Sequence, residues 1–160
     1  MREDIFKIGE KAPDFTATTD RGEALTLSSL RGRKVILYFY PKDNTAGCTT
    51  EAEAFRDYRD AFSDAGFDIL GVSRDSVRSH CSFRDKHELN FPLLSDQEET
   101  VCRLYGVLKE KNMYGRQCVG IERSTFILDE DGVFLEIMRG VKAKTHVNDL
   151  VERYLRDSHC

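Results

Sequence analysis

The chain has no apolar run approaching the roughly 20 residues of a membrane span, which excludes a transmembrane helix. The opening residues Met1-Arg2-Glu3-Asp4-Ile5 lack the apolar core of a secretory signal. A basic excess is also missing: the net charge is −4, so there is no electrostatic footprint for nucleic acid. There is no Cys-x-x-Cys, and the five cysteines (48, 81, 102, 118 and 160) are odd in number, which argues against a structural disulfide framework. Structural zinc ligands usually come in close pairs. The four histidines supply none beyond His80-Cys81 and His159-Cys160, so no metal site is expected. Repeats, linkers and low-complexity segments are absent too. At 160 residues with 40% apolar and 32% charged residues, the expectation is one globular domain spanning 1–160, located in the cytoplasm.

Patterning divides the chain into elements. Asp14 to Thr19, the turn Asp20–Glu23 and Ala24 to Leu27 read as an N-terminal hairpin. Val35–Tyr40 is apolar on both faces, as in a central strand of a covered sheet. A helix is expected from Cys48 to about Ala65, closed by Gly66. A second buried strand follows at Phe67–Ser73. Strand, helix and strand in this order form a βαβ unit with parallel strands. Ser76 to His87 reads as a second helix capped at Asp75 or Ser76. A short extended piece follows at Phe91–Leu94, and Asp96–Glu99 opens a helix through Tyr105 in the manner of a capping box. Leu108 to Gln117 reads as a polar loop. Cys118–Leu128 and Gly132–Met138 read as strands joined by a tight turn. Val147, Leu150, Val151, Tyr154 and Leu155 trace one face of a closing helix behind Thr145. The sum is an α/β fold with a mixed central sheet and helices on both faces.

The stretch around which the rest is organised runs from Tyr40 to Glu51, Tyr-Pro-Lys-Asp-Asn-Thr-Ala-Gly-Cys-Thr-Thr-Glu. A buried strand enters a Pro/Gly-punctuated loop, and Cys48 sits where a helix begins. Unbonded amides and the positive end of the dipole at a helix N-terminus stabilise an anion. A thiol held there loses its proton more readily, and the thiolate is the reactive form. A free cysteine is also commonly just a small buried hydrophobe. Three neighbours point to chemistry instead: Pro41 stiffens the strand exit, Thr45 offers a hydroxyl three residues before Cys48, and Gly47 admits close backbone approach.

Phe39 to Glu51 resembles the active-site signature of peroxiredoxins, most closely the peroxiredoxin Q or bacterioferritin comigratory protein subfamily. Gly71–Ser76, Phe91–Asp96 and Gly120–Phe126 extend the resemblance, in order, over nearly the whole chain. Ala46 departs from it, standing where the subfamily usually has proline. The resemblance implies a thioredoxin-like fold. It also implies a thiol-dependent peroxidase that needs no metal or organic cofactor and reduces hydrogen peroxide and organic hydroperoxides. Thioredoxin or a similar thiol is the implied reductant, and a monomer the implied state.

Within that reading Cys48 is the nucleophile that becomes a sulfenic acid. Arg123, in the matched Gly-Ile-Glu-Arg-Ser-Thr-Phe segment, offers a fixed fork of donors to thiolate and peroxide. Thr45 orients the peroxide, Pro41 shields the sulfur from water, and the amides of Gly47 and Cys48 face the incoming oxygen. Glu51 admits two readings, a brace for Arg123 or a favourable charge near a helix N-terminus. Tyr40 is either a pocket wall or a strand-end core aromatic. The second thiol is less defined. The subfamily's resolving cysteine five residues after the first is replaced by Glu53, and the one on the next helix by Arg84. Cys81, one turn before Arg84, is the displaced candidate, with partial burial as its alternative role. Cys102 and Cys118 read as packing residues and Cys160 as a tail. The competing functions are thiol–disulfide exchange on the same fold, disfavoured without Cys-x-x-Cys, and a redox sensor whose Cys48 reports to a partner.

Overall fold

A computed structural model describes residues 4–113 and 115–155 of the chain; Cys160 lies outside them. The N-terminal hairpin is β1 (Thr16–Thr19) and β2 (Ala24–Thr26). Next come β3 (Lys34–Phe39), α1 (Ala46–Asp64), β4 (Phe67–Ser73), α2 (Val77–His87) and β5 (Leu93–Ser95). The chain closes with α3 (Thr100–Leu104), β6 (Leu108–Met113), β7 (Arg116–Ile121), β8 (Ser124–Leu128), β9 (Phe134–Arg139) and α4 (His146–Tyr154). Seven strands form one mixed sheet in the order β2-β1-β5-β4-β3-β8-β9. β3, β4 and β5 run parallel at its centre, and β8 and β9 extend it antiparallel.

Alternation along β3 builds two cores. Val35, Leu37 and Phe39 face one side with Tyr105, Phe126 and Phe134, beneath α3 and the N-terminal segment. Ile36, Tyr38 and Tyr40 face the other, where α1, α2 and α4 contribute Phe55, Phe62, Phe83, Val147 and Leu150. The crossovers from β3 to β4 and from β4 to β5 step in the same direction across the sheet. Right-handed connections therefore put α1 and α2 on one face.

Four expectations need correction. The polar stretch 108–117 is not a loop: β6 and β7 pair from Leu108↔Ile121 to Met113↔Arg116, turning at Gly115 with φ +79°. A two-stranded ribbon apart from the main sheet leaves most of its described residues exposed, so the alternation that signals a strand is missing. The strand expected over 118–128 is two strands, broken at Glu122 and Arg123, because β7 pairs with β6 while β8 joins β3. Cys118 is exposed on β7 and is not a packing residue. The helix expected from Asp96 begins only at Thr100; Asp96 still caps it, its carboxylate accepting the amides of Val101 and Cys102 at 3.0 and 2.7 Å.

Candidate active site

The loop between β3 and α1 carries the signature residues. Asn44 adopts φ +63°, a left-handed conformation asparagine tolerates better than most residues, and the chain turns there into the helix. α1 starts at Ala46, two residues before the expected Cys48, so Cys48 is its third residue. The first helical bond runs from the Thr49 amide to the Thr45 carbonyl at 2.9 Å. The amides of residues 46–48 thus have no intrahelical acceptor, and they place partial positive charge at the helix end that carries Cys48. Thr45 occupies the N-cap position without a capping side-chain bond; its hydroxyl instead donates to the Lys42 carbonyl at 2.8 Å, which leaves its lone pairs available.

The break between β7 and β8 brings Arg123 across the sheet to this helix. Its Nη2 donates to Cys48 Sγ at 3.4 Å and its Nη1 to Glu51 Oε1 at 2.6 Å. Cys48 is 1% exposed and Glu51 fully buried, while 15% of the Arg123 side chain remains exposed. Gly47 makes the approach feasible: a Cβ there would stand 3.3 Å from Arg123 Nη2 and equally close to the Ala143 side chain. The structure therefore unites Cys48, Gly47, Glu51 and Arg123, and it matches the bracing alternative for Glu51. Pro41 is half-buried at the loop's entrance. Tyr40 is a buried core aromatic whose hydroxyl donates to Asp43 at 2.6 Å.

Electrostatics follow from this burial. Desolvation pushes the Glu51 carboxyl up to about 7, against the opposing pull of the Arg123 charge. Its second oxygen, Oε2, and the Tyr38 hydroxyl are buried with no hydrogen-bond partner among the described residues. Burial alone would lower the Arg123 value, but the Glu51 carboxylate and the Cys48 sulfur outweigh it and hold the guanidinium above its ordinary range. Nearby, His146 opens α4 and bonds Thr125 Oγ1 through Nε2 at 2.8 Å. Desolvation, opposed by Asp149 and reinforced by Arg123, pushes it down to about 4.

Cys81 lies mid-way along α2, half-buried. Arg84 Nη2 donates to its sulfur at 3.4 Å, while Arg84 Nη1 is anchored on Asp20 Oδ2 at 2.6 Å. Cys102 is buried, and desolvation with the Asp96 carboxylate pushes its thiol far up. Cys48, Cys81, Cys102 and Cys118 are all free thiols.

Sequence reasoning missed Asp43, Asp75, His80 and His146. Asp43 and His80 form a buried pair at 2.7 Å, and the ligand atoms of Asp43, Asp75 and His80 lie within 4.8 Å of one another. The only signal in the sequence was a histidine four residues after the Ser76 cap, beside Cys81.

The AhpC/TSA family model matches residues 8–137. Peroxiredoxin Bcp of Bacillus subtilis is 44% identical over 147 residues, covering 92% of this chain and 94% of the relative. A Coxiella burnetii protein provisionally named peroxiredoxin Bcp reaches 52% over 148 residues, with 92% and 98% coverage. Among solved structures, Xanthomonas campestris bacterioferritin comigratory protein, described through its alkyl peroxide reduction activity, superposes with a TM-score of 0.86 at 41% identity over 98% of this chain and 99% of that one. The chain belongs to the AhpC/TSA family and, within it, to the peroxiredoxin Q or bacterioferritin comigratory protein peroxiredoxins, which are thiol-dependent peroxidases. Its thioredoxin-like fold accords with that membership.

Proposed function

We propose that the chain, as one domain, reduces hydrogen peroxide and organic hydroperoxides at Cys48. The observation that carries this reading is the Arg123 fork, with one nitrogen on the Cys48 sulfur and the other on a buried carboxylate. In the first step the Cys48 thiolate attacks one peroxide oxygen and the O–O bond breaks. The other oxygen leaves as hydroxide or alkoxide and is protonated to water or alcohol. Sulfur loses two electrons and the peroxide gains them, leaving a sulfenic acid. Arg123 and the amides of Gly47 and Cys48 stabilise the charge that grows on the leaving oxygen. The Thr45 hydroxyl orients the substrate, Pro41 limits water access, Glu51 holds the guanidinium, and Tyr40 shapes the wall behind the sulfur.

In the second step a thiol sulfur attacks the sulfenic sulfur. A disulfide forms and water leaves. Cys81 is the favoured partner: α1 and α2 share a face of the sheet, Cys81 is half-exposed, and its sulfur has a guanidinium beside it. A disulfide requires Cα atoms within about 7 Å. Cys48 is buried under the first turn of α1, which frays before the sulfurs meet, as helix ends open at low cost. Thioredoxin or a similar dithiol then returns both cysteines to thiols by exchange. We read the protein as a cytoplasmic monomer; no helix among the described residues is long and apolar enough to cross a membrane.

The test is Cys48→Ser, which abolishes peroxidase turnover while leaving the fold intact by circular dichroism. Turnover within a few-fold of wild type would remove Cys48 from the mechanism. A non-reduced peptide map after one equivalent of hydrogen peroxide identifies the partner, and linkage of Cys48 to Cys102, Cys118 or another chain would rule out Cys81.

A further inference from the structure

Three side chains converge on Asp43, in the loop before Cys48. Asp43 lies within the loop between Pro41 and Thr45, and its side chain is 1% exposed. Its carboxylate accepts the Tyr40 hydroxyl at 2.6 Å, the Ser79 hydroxyl at 2.8 Å and His80 Nδ1 at 2.7 Å. Its backbone amide donates to Asp75 Oδ2 at 2.8 Å. His80 is fully buried, and its Nε2 faces the Leu94 carbonyl at 3.0 Å. The two ring nitrogens thus bridge the loop carboxylate and the β5 backbone. Asp43, Asp75 and His80 are metal-ligand types, but Asp43 and His80 stand at direct hydrogen-bonding distance, 2.7 Å. The cluster is a hydrogen-bonded latch.

Its position in the chain gives it consequence. One end is the loop that carries Pro41 and Thr45. The other end is the residue directly before Cys81, on a helix pinned to β5 through Leu94. The shape of the peroxide-binding loop and the seating of α2 are thus one hydrogen-bonded unit, and such units open together.

We propose that His80 is a positioning residue for the peroxidase reaction: clamped between Asp43 and the Leu94 carbonyl, it holds the Pro41–Thr45 loop closed around Cys48 and is released before the oxidised sulfur meets a resolving thiol. The proposal rests on Cys48 as the peroxide-reactive thiol but not on which thiol resolves it. It makes the latch the control on the fate of the sulfenic acid. A closed latch favours capture of peroxide, including a second molecule whose oxygen transfer gives sulfinic acid while that peroxide is reduced to water or alcohol. An open latch favours the disulfide.

The experiment is quenched-flow mass spectrometry of wild type and His80→Gln with hydrogen peroxide, following thiol, sulfenic acid, disulfide and sulfinic acid. Glutamine can serve one of the two partners but not both. Sulfenic acid formation should slow by about 10- to 100-fold, the cost of a misplaced loop. Disulfide formation should accelerate about tenfold, as the local opening becomes easier, and sulfinic acid at excess peroxide should fall. A residue that only props up the fold lowers thermal stability without accelerating disulfide formation. Unchanged rates and sulfinic yield, or a slowing of both steps, overturn the latch. If His80→Gln does not fold, Ser79→Ala removes one hydroxyl from Asp43 and should shift both rates the same way by roughly two- to fivefold; no shift overturns the proposal equally. A wild type that forms no sulfenic acid overturns the peroxidase reading itself, whereas a reactive wild type with an unaltered variant overturns only the latch.

Discussion

Two cysteines on the same face of the sheet each sit 3.4 Å from an arginine Nη2, and on the proposed reading only one of them meets peroxide. Both guanidiniums are braced by a carboxylate at 2.6 Å, Arg123 by Glu51 and Arg84 by Asp20. The difference lies in the sulfur's surroundings. Cys48 is the third residue of α1, among amides with no helical acceptor, and is 1% exposed. Cys81 is the fifth residue of α2, past the unbonded amides, and half-exposed. On the proposed reading, orienting an O–O bond needs the helix start, the Thr45 hydroxyl and an enclosed site as well as a guanidinium, so the two arginines serve different steps.

The largest effect expected is on the first arginine. Arg123→Ala should slow sulfenic acid formation by about 100-fold or more, as for loss of one pre-organised donor. Arg84→Ala should act on the second step, slowing disulfide formation by about tenfold through the lost charge beside Cys81. Equal effects of both substitutions on peroxide attack would erase the distinction.

Gly47→Ala sharpens it further. A methyl 3.3 Å from Arg123 Nη2 displaces the fork by a few tenths of an ångström. We expect a three- to tenfold lower rate, a fraction of what a full 1 Å displacement costs, with folding stability within about 1 kcal/mol of wild type. Rates measured beside thermal melts check this, and an unaffected rate would mean that the fork tolerates the crowding.

Smaller still are the effects of pH on stability, where two buried groups flank Arg123 with opposite signs. The folded Glu51 value is raised from 4.5 to about 7, so its contribution is fully present below pH 4.5 and lost as pH rises through 7. The folded His146 value is lowered from 6.5 to about 4, so its contribution is present above pH 6.5 and lost as pH falls through 4. Between about pH 4.5 and 6.5 the two slopes oppose each other. Glu51→Gln should therefore leave a protein that loses stability on acidification, and His146→Gln one that loses it as pH rises. Each tilt should be on the order of 2 kcal/mol. Denaturant midpoints from pH 4 to 8 read them out; parallel profiles for the two variants would contradict the assignment.

Much of this was legible in the sequence because it is local. The apolar run Val35–Tyr40, the helix behind Cys48, Ser76 as the cap of α2 with its hydroxyl accepting the Ser79 amide, and the N-terminal hairpin all rest on neighbours in the chain. The resemblance then supplied Arg123, which no periodicity would single out, since its role depends on a corner where the chain leaves one sheet for another. What stayed hidden is long-range or pattern-free. The pair of Asp43 and His80 joins residues 37 apart through the fold, and each alone looks like a loop acid and a helix histidine. His146 reads as a polar position on a helix whose apolar face starts one residue later, yet it is buried against Thr125. The ribbon of β6 and β7 carries polar residues because the main sheet covers little of it.

The most direct test of the division between the two sulfurs is single-turnover oxidation of wild type, Arg123→Ala and Arg84→Ala by one equivalent of hydrogen peroxide, quenched over time and mapped without reduction. Arg123→Ala should keep Cys48 as a thiol about 100-fold longer than wild type, while Arg84→Ala should oxidise Cys48 promptly and accumulate its sulfenic acid. Prompt oxidation of Cys48 in Arg123→Ala would contradict that division.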